Sequence, residues 1–171
     1  AVAEPVRYAL YDLRVDSAAI SYISDLLPKP FFITKADMEC AQVKWDEPRL
    51  KTMIDLLFMK GTSVHAAVEF DMDQMIYTAH VKADSVPCKM LTPYVEPYFA
   101  TSGLAGRVWT DLFMRGSADD PMAFAMKGRV GVNNFALPDP NGVRLVGLGR
   151  LDLVIDTVDV KQELYRVRRF V

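Results

Sequence analysis

The chain has only two histidines and two cysteines among its 171 residues. That shortage removes most metal and nucleophile chemistry at once. Cys40 and Cys88 stand far apart and fit no zinc-ligand spacing, and the sequence neither requires nor excludes a disulfide between them. His65 and His80 supply two ligands where a zinc centre usually needs three or four from the protein. No Ser/His/Asp set and no nucleophile elbow occurs. "GVRLVGLGR" holds glycines but lacks the G-x-G-x-x-G spacing and opens no helix, which argues against a dinucleotide site. A basic excess is missing too: 20 Lys and Arg stand against 22 Asp and Glu, a net charge of -2. Nucleic-acid binders usually carry a basic stripe, so none is expected as a partner, and Arg166, Arg168 and Arg169 read as a solvated strand face. No run reaches the ~20 apolar residues of a membrane helix. The densest patch, "MIDLLFM", is broken by Asp55. No signal-peptide core is present, and "AVAEP" fits either a processed start or a cut from a longer chain.

What is present is apolar alternation. Hydrophobic residues make up 51% of the chain and charged residues 25%, enough for an ordered domain. Residues 6–15 read as a strand whose apolar phase slips after Leu10, as at a bulge, and Ala18–Ile23 as a short continuation. "LLPKPFF" is a loop, because Pro28 and Pro30 withdraw amide donors. Phe31–Trp45 reads extended. Residues 50–59 fit a helical stripe (Leu50, Met53, Ile54, Leu57, Phe58) and also a buried strand; the flanking strands and Gly61 favour the strand.

Residues 62–83 form a hairpin. With Met72-Asp73 as its tip, or as the centre of a four-residue loop, Phe70 meets Met75, Val68 meets Tyr77, Ala66 meets Ala79 and Val64 meets Val81. That register also sets His65 opposite His80. Asp71/Asp73 and Asp119/Asp120 lie in turns, where Asp bonds its own backbone and no pocket tunes a general acid. Thr92 before Pro93 has the form of an N-cap, predicting short helical turns between Val86 and Phe99, held to the sheet by the tyrosines and Phe99. Leu104–Gly116 and Met122–Asn134 form a second hairpin around "SADDP". After the "PDPNG" turn, Val143–Ile155 and Val158–Phe170 are strands, with a bend at Gly147 and Gly149.

The expected fold is all-β, mainly antiparallel: an elongated, twisted meander or curled sheet, or a partly open sandwich, with one or two short helices, over residues 1–171 as one module. Val64, Val68, Phe70, Tyr77, Val81, Val108, Leu112, Phe124, Val130 and Val132 are the candidates for its apolar face. A sheet with such a face needs a second layer or an apolar partner. Either the chain closes as a β-sandwich serving a structural or protein-interaction role, or the face is a groove. Periodicity does not choose. No cofactor, metal or enzymatic activity is expected.

The C-terminal half resembles the AsmA-like proteins of the bacterial cell envelope. Leu91, Pro93 and Tyr94 match their "L-x-P-Y" segment, and Gly106 with Val108 the glycine that opens a strand. Gly128, Val130, Val132, Phe135, Leu137 and Asp139 match the following "G-x-V-x-V-x-x-F-x-L-x-D". Residues 6–25 look like a further "strand, apolar-x-apolar, Asp" unit. The resemblance implies a piece of a longer periplasmic protein, inner-membrane-anchored through a segment absent from this chain. Its apolar β-sheet groove would carry phospholipid acyl chains during outer-membrane biogenesis, with other envelope proteins as further partners.

Overall fold

The computed structural model describes residues 6–23, 31–58, 62–120 and 122–170. Nine strands follow one another: β1 (Ala9–Tyr22), β2 (Phe31–Lys44), β3 (Arg49–Phe58), β4 (Thr62–Asp71), β5 (Ile76–Pro87), β6 (Ala105–Ser117), β7 (Phe124–Pro138), β8 (Arg144–Asp159) and β9 (Leu164–Phe170). They form a single open antiparallel sheet in the order β1 to β9, each strand bonded to its neighbours in sequence. The all-β expectation holds, and residues 49–58 are a strand. The closed sandwich does not form among the described residues. Every strand is satisfied by its sequence neighbours, so none is left to build a second sheet. Of the loop assigned to residues 26–32, residues 26–30 lie outside the described residues, as does Gly61, and Phe31 and Phe32 belong to β2.

Turn chemistry sets where strands stop. At the β4–β5 hairpin the Asp71 carboxylate accepts the N–H groups of Asp73 and Gln74, building a four-residue turn over residues 72–75 in place of the expected two-residue tip. The register is therefore two residues away from the expected one: Phe70 faces Tyr77, Val68 faces Ala79, Ala66 faces Val81 and Val64 faces Ala83. A slip of two preserves which face each side chain takes. It does separate the histidines, since His65 faces Lys82 and Ala67 faces His80. Asp139 closes the β7–β8 turn in the same manner, accepting from Asn141 and Val143.

The last hairpin also turns later than expected. Asp156 and Thr157 mark a register shift within β8, and the chain reverses at residues 160–163, where Asp159 accepts the N–H of Gln162. Gly147 makes no register shift; it pairs directly with Ala136. β1 is continuous across residues 9–22, with left-handed residues at Asp12 (φ 51°) and Ser17 (φ 59°). The ladder to β2 shifts next to Ser17, whose N–H is taken up by Asp37.

Between β5 and β6 the chain makes a 3₁₀ turn, Cys88–Leu91, and one helical turn, α1 (Thr92–Val95). Thr92 does not cap it. The helix starts at Thr92 itself, and its hydroxyl accepts the Leu104 N–H at 2.9 Å. A buried amide without another acceptor is costly to leave unpaired, so this bond takes precedence over the cap. Cys88 (2% exposed) and Leu104 anchor the segment, whereas Tyr98 and Phe99 are exposed and pin nothing. Cys40 and Cys88 are both free and buried, and burial raises the Cys88 thiol above its ordinary pKa.

Two strand glycines sit under aromatic partners. Tyr77 lies over Gly116 and the Trp109 indole over Gly131, each across a direct pair. Gly128 is different: its φ is 138°, and an added Cβ would meet the main chain of Asp111 and the Leu112 Cα. Gly128→Ala is expected to destabilise the protein by about 2 kcal/mol or more, read as a lower urea midpoint. Gly149→Ala, in open space with an ordinary backbone, should leave the midpoint within about 0.5 kcal/mol of wild type.

Candidate functional site

The register sorts side chains into two faces of opposite chemistry. Directly paired residues in an antiparallel ladder point the same way, so rows can be followed across the sheet. One row runs Leu13–Cys40–Thr52–Val68–Ala79–Met114–Met126–Val158–Tyr165, from β1 to β9. The next runs Val15–Met38–Ile54–Ala66–Val81–Leu112–Gly128–Ile155–Val167. A third runs Ala18–Ala36–Leu56–Val64–Ala83–Thr110–Val130–Leu153. Shorter rows flank them: Leu50–Phe70–Tyr77–Gly116–Phe124 and Val86–Val108–Val132–Leu151. No charged residue occurs in any of these rows.

Every residue expected on the apolar face is among them: Val64, Val68, Phe70, Tyr77, Val81, Val108, Leu112, Phe124, Val130 and Val132. All are half-buried. Their burial comes from neighbours in the same sheet, since among the described residues the 3₁₀ turn and α1 are the only helical elements and lie beside β5 and β6. An uncovered apolar surface larger than a few hundred Å2 is unusual for a soluble monomer and marks an interaction face.

The opposite face carries the charge. Its rows include Arg14–Glu39–Met53–Ala67–His80–Phe113–Lys127 and Lys51–Glu69–Thr78–Arg115–Ala125. Asp37 and Asp55, like charges directly opposite each other, each find a partner elsewhere: Asp37 the Lys35 ammonium and Asp55 the His65 ring. His80 holds Asp111 at 2.7 Å and stacks on Phe113 with ring centroids 3.9 Å apart. Arg129 reaches the other Asp111 oxygen at 3.6 Å. The expected cross-strand histidine pair is thus replaced by two separate His–Asp pairs. Among the described residues, no cluster of three or more potential ligands stands ready for a metal ion.

A cavity of about 860 Å3 crosses the sheet at mid-strand. Each of β1 to β7 contributes three consecutive residues, such as Lys51–Met53, Ala67–Glu69, Phe113–Arg115 and Ala125–Lys127, and β8 contributes Thr157. The outer two of each triplet belong to the charged face. Residues two positions from the centre on the uncharged face, such as Ala66, Phe70, Val81 and Leu112, do not line it, and at β8 the lining residue is Thr157, not Val158. The groove therefore opens on the charged side, floored by the main chain of the middle residues. Of the expected apolar-face residues only Val68 takes part. The groove's composition depends on which residues pair across strands, and no local sequence signal reports that.

Four carboxylates are held below the ordinary range by their partners: Asp37 by the Lys35 hydrogen bond first, Asp111 by His80, Asp120 by Lys161 and Asp156 by Arg168. A depressed folded-state pKa gives stability that is present above the unfolded value and lost as pH falls through the folded one. Wild type is expected to lose stability as pH drops below about 4. Asp111→Asn should lose less between pH 7 and pH 3, read as urea midpoints at the two pH values; an identical drop in both proteins would contradict the assignment.

No helix among the described residues is long and apolar enough to cross a membrane. No family model, no curated protein and no solved structure matches the chain.

Proposed function

We propose that the chain is a non-enzymatic module of an AsmA-like bacterial envelope protein, placed in the periplasm, whose uncharged sheet face receives phospholipid acyl chains on their way to the outer membrane. The observation that supports this reading is the set of rows without charge that run from β1 to β9, with no second layer over them among the described residues. Eight inter-strand spacings at about 4.8 Å make such a row roughly 38 Å long. One acyl chain spans about half of the ~30 Å hydrocarbon core of a bilayer, so a row is long enough for two chains end to end. Each buried methylene contributes about 0.8 kcal/mol, which needs no specific polar contact and tolerates movement along the row. In this reading the protein is attached to the inner membrane, and other envelope proteins meet the sheet at its ends.

Native mass spectrometry after mild extraction is expected to show co-purifying phospholipid. Val81→Asp and Leu112→Asp place a charge in the middle of the uncharged face and should reduce the retained lipid at least about tenfold, an effect in keeping with the cost of burying an unpaired carboxylate. Far-ultraviolet circular dichroism checks that the variants keep the sheet. Lipid-free wild-type protein, or variants that fold and retain as much lipid as wild type, would sink the reading.

A further inference from the structure

The groove on the charged face has an uneven distribution of charge. Towards β1 its cations are paired across strands, Arg14 with Glu39 at 3.8 Å and Lys51 with Glu69 at 4.0 Å, and the further lining charge there is the acid Asp12. Towards β7 they do not. Arg115 and Lys127 are exposed, line the groove and have no ion-pair partner among the described residues. They stand on opposite walls, because Lys127 follows Phe113 in one row and Arg115 follows Thr78 in the other. The acids near them on the same face are engaged: Asp111 with His80 and Arg129, Asp159 with the Gln162 N–H. From this cation pair the wall continues as Phe113, His80, Ala67 and Met53, with Phe113 48% and Met53 63% exposed and the half-buried His80 ring stacked on Phe113.

We infer that the groove on the charged face is a binding site for a single-chain amphiphile with an anionic phosphate head, the head clamped between Arg115 and Lys127 and the chain lying over Phe113, Ala67 and Met53. Two cations on opposite walls suit a tetrahedral oxyanion, which accepts charge-assisted bonds from both sides. From β7 to β3 is four strand spacings, roughly 19 Å, enough for a chain that fills one leaflet of a ~30 Å hydrocarbon core. The site is on the face opposite to the one proposed for phospholipid passage and does not depend on that reading.

Isothermal titration with dodecyl phosphate below its micelle concentration tests it, with dodecyl maltoside and inorganic phosphate as the comparison arms. Dodecyl phosphate should bind at one site, at least about tenfold more tightly than either. The double substitution Arg115→Gln/Lys127→Gln should weaken it at least about tenfold, as expected for the loss of charge-assisted bonds. Met53→Glu should weaken it through the chain end of the groove. Both substitutions are at exposed positions, so circular dichroism should match wild type. The phospholipid retained by the double variant should be unchanged, which keeps this test separate from that of the uncharged face. Equal affinity for dodecyl maltoside, equal affinity for inorganic phosphate, or dodecyl phosphate binding untouched by the double substitution would each overturn the proposal.

Discussion

Everything in this structure depends on the parity of an antiparallel ladder. Once one strand is paired with the next in sequence, the face taken by each side chain is fixed along the whole meander. A slip of one residue at any hairpin would exchange the two faces for every strand beyond it. The turns prevent that. Asp71, Asp139 and Asp159 each accept main-chain N–H groups from the turn that follows, holding the number of turn residues and so the parity. Bulges elsewhere are local departures that the ladder absorbs: pairing resumes beyond Ser17 in β1 and beyond Thr157 in β8 with the uncharged row intact.

The separation of faces explains how a single sheet holds together without an opposing layer. Cross-strand neighbours supply the packing, so most apolar residues of the uncharged face reach partial burial, and Ala36, Cys40, Phe58 and Ala83 are buried. At two strand glycines an aromatic ring from the paired strand covers the gap, Tyr77 over Gly116 and Trp109 over Gly131, the known remedy for a glycine in a sheet; at Gly128 the main chain of β6 fills that place instead. On the charged face, paired charges take over the same cross-strand role. The outcome is a layer with one surface uncharged through its centre, one polar surface and a groove in the polar one.

Much of this was legible in the sequence. Alternation over residues 62–83 and 104–134 gave the hairpins, and the two-residue error at Met72-Asp73 left the assignment of faces untouched, because parity is insensitive to an even slip. Residues 49–58 were ambiguous because Leu50, Ile54 and Phe58 satisfy a period of four as well as a period of two. The misses share one cause. Thr92 as a cap, the histidine pair and the groove depend on partners distant in sequence, respectively Leu104, Asp55 with Asp111, and the neighbouring strands. Local patterns report propensity and face; they do not report which residue across the ladder claims a hydroxyl or an imidazole. The Asp156-Thr157 pair was misread as a turn because polar, β-branched residues also occupy bulges.

An open sheet leaves two edges, and the β1 edge has a particular shape. Asp12 and Ser17 adopt left-handed backbone conformations five residues apart, which kink a strand that would otherwise offer a long, straight row of amides and carbonyls. A flat incoming strand could follow β1 only over the short stretch between the kinks, too little to offset the entropy of ordering it. Long straight edges are where fibrils seed. The two kinks make β1 a poor template for uncontrolled growth at that edge.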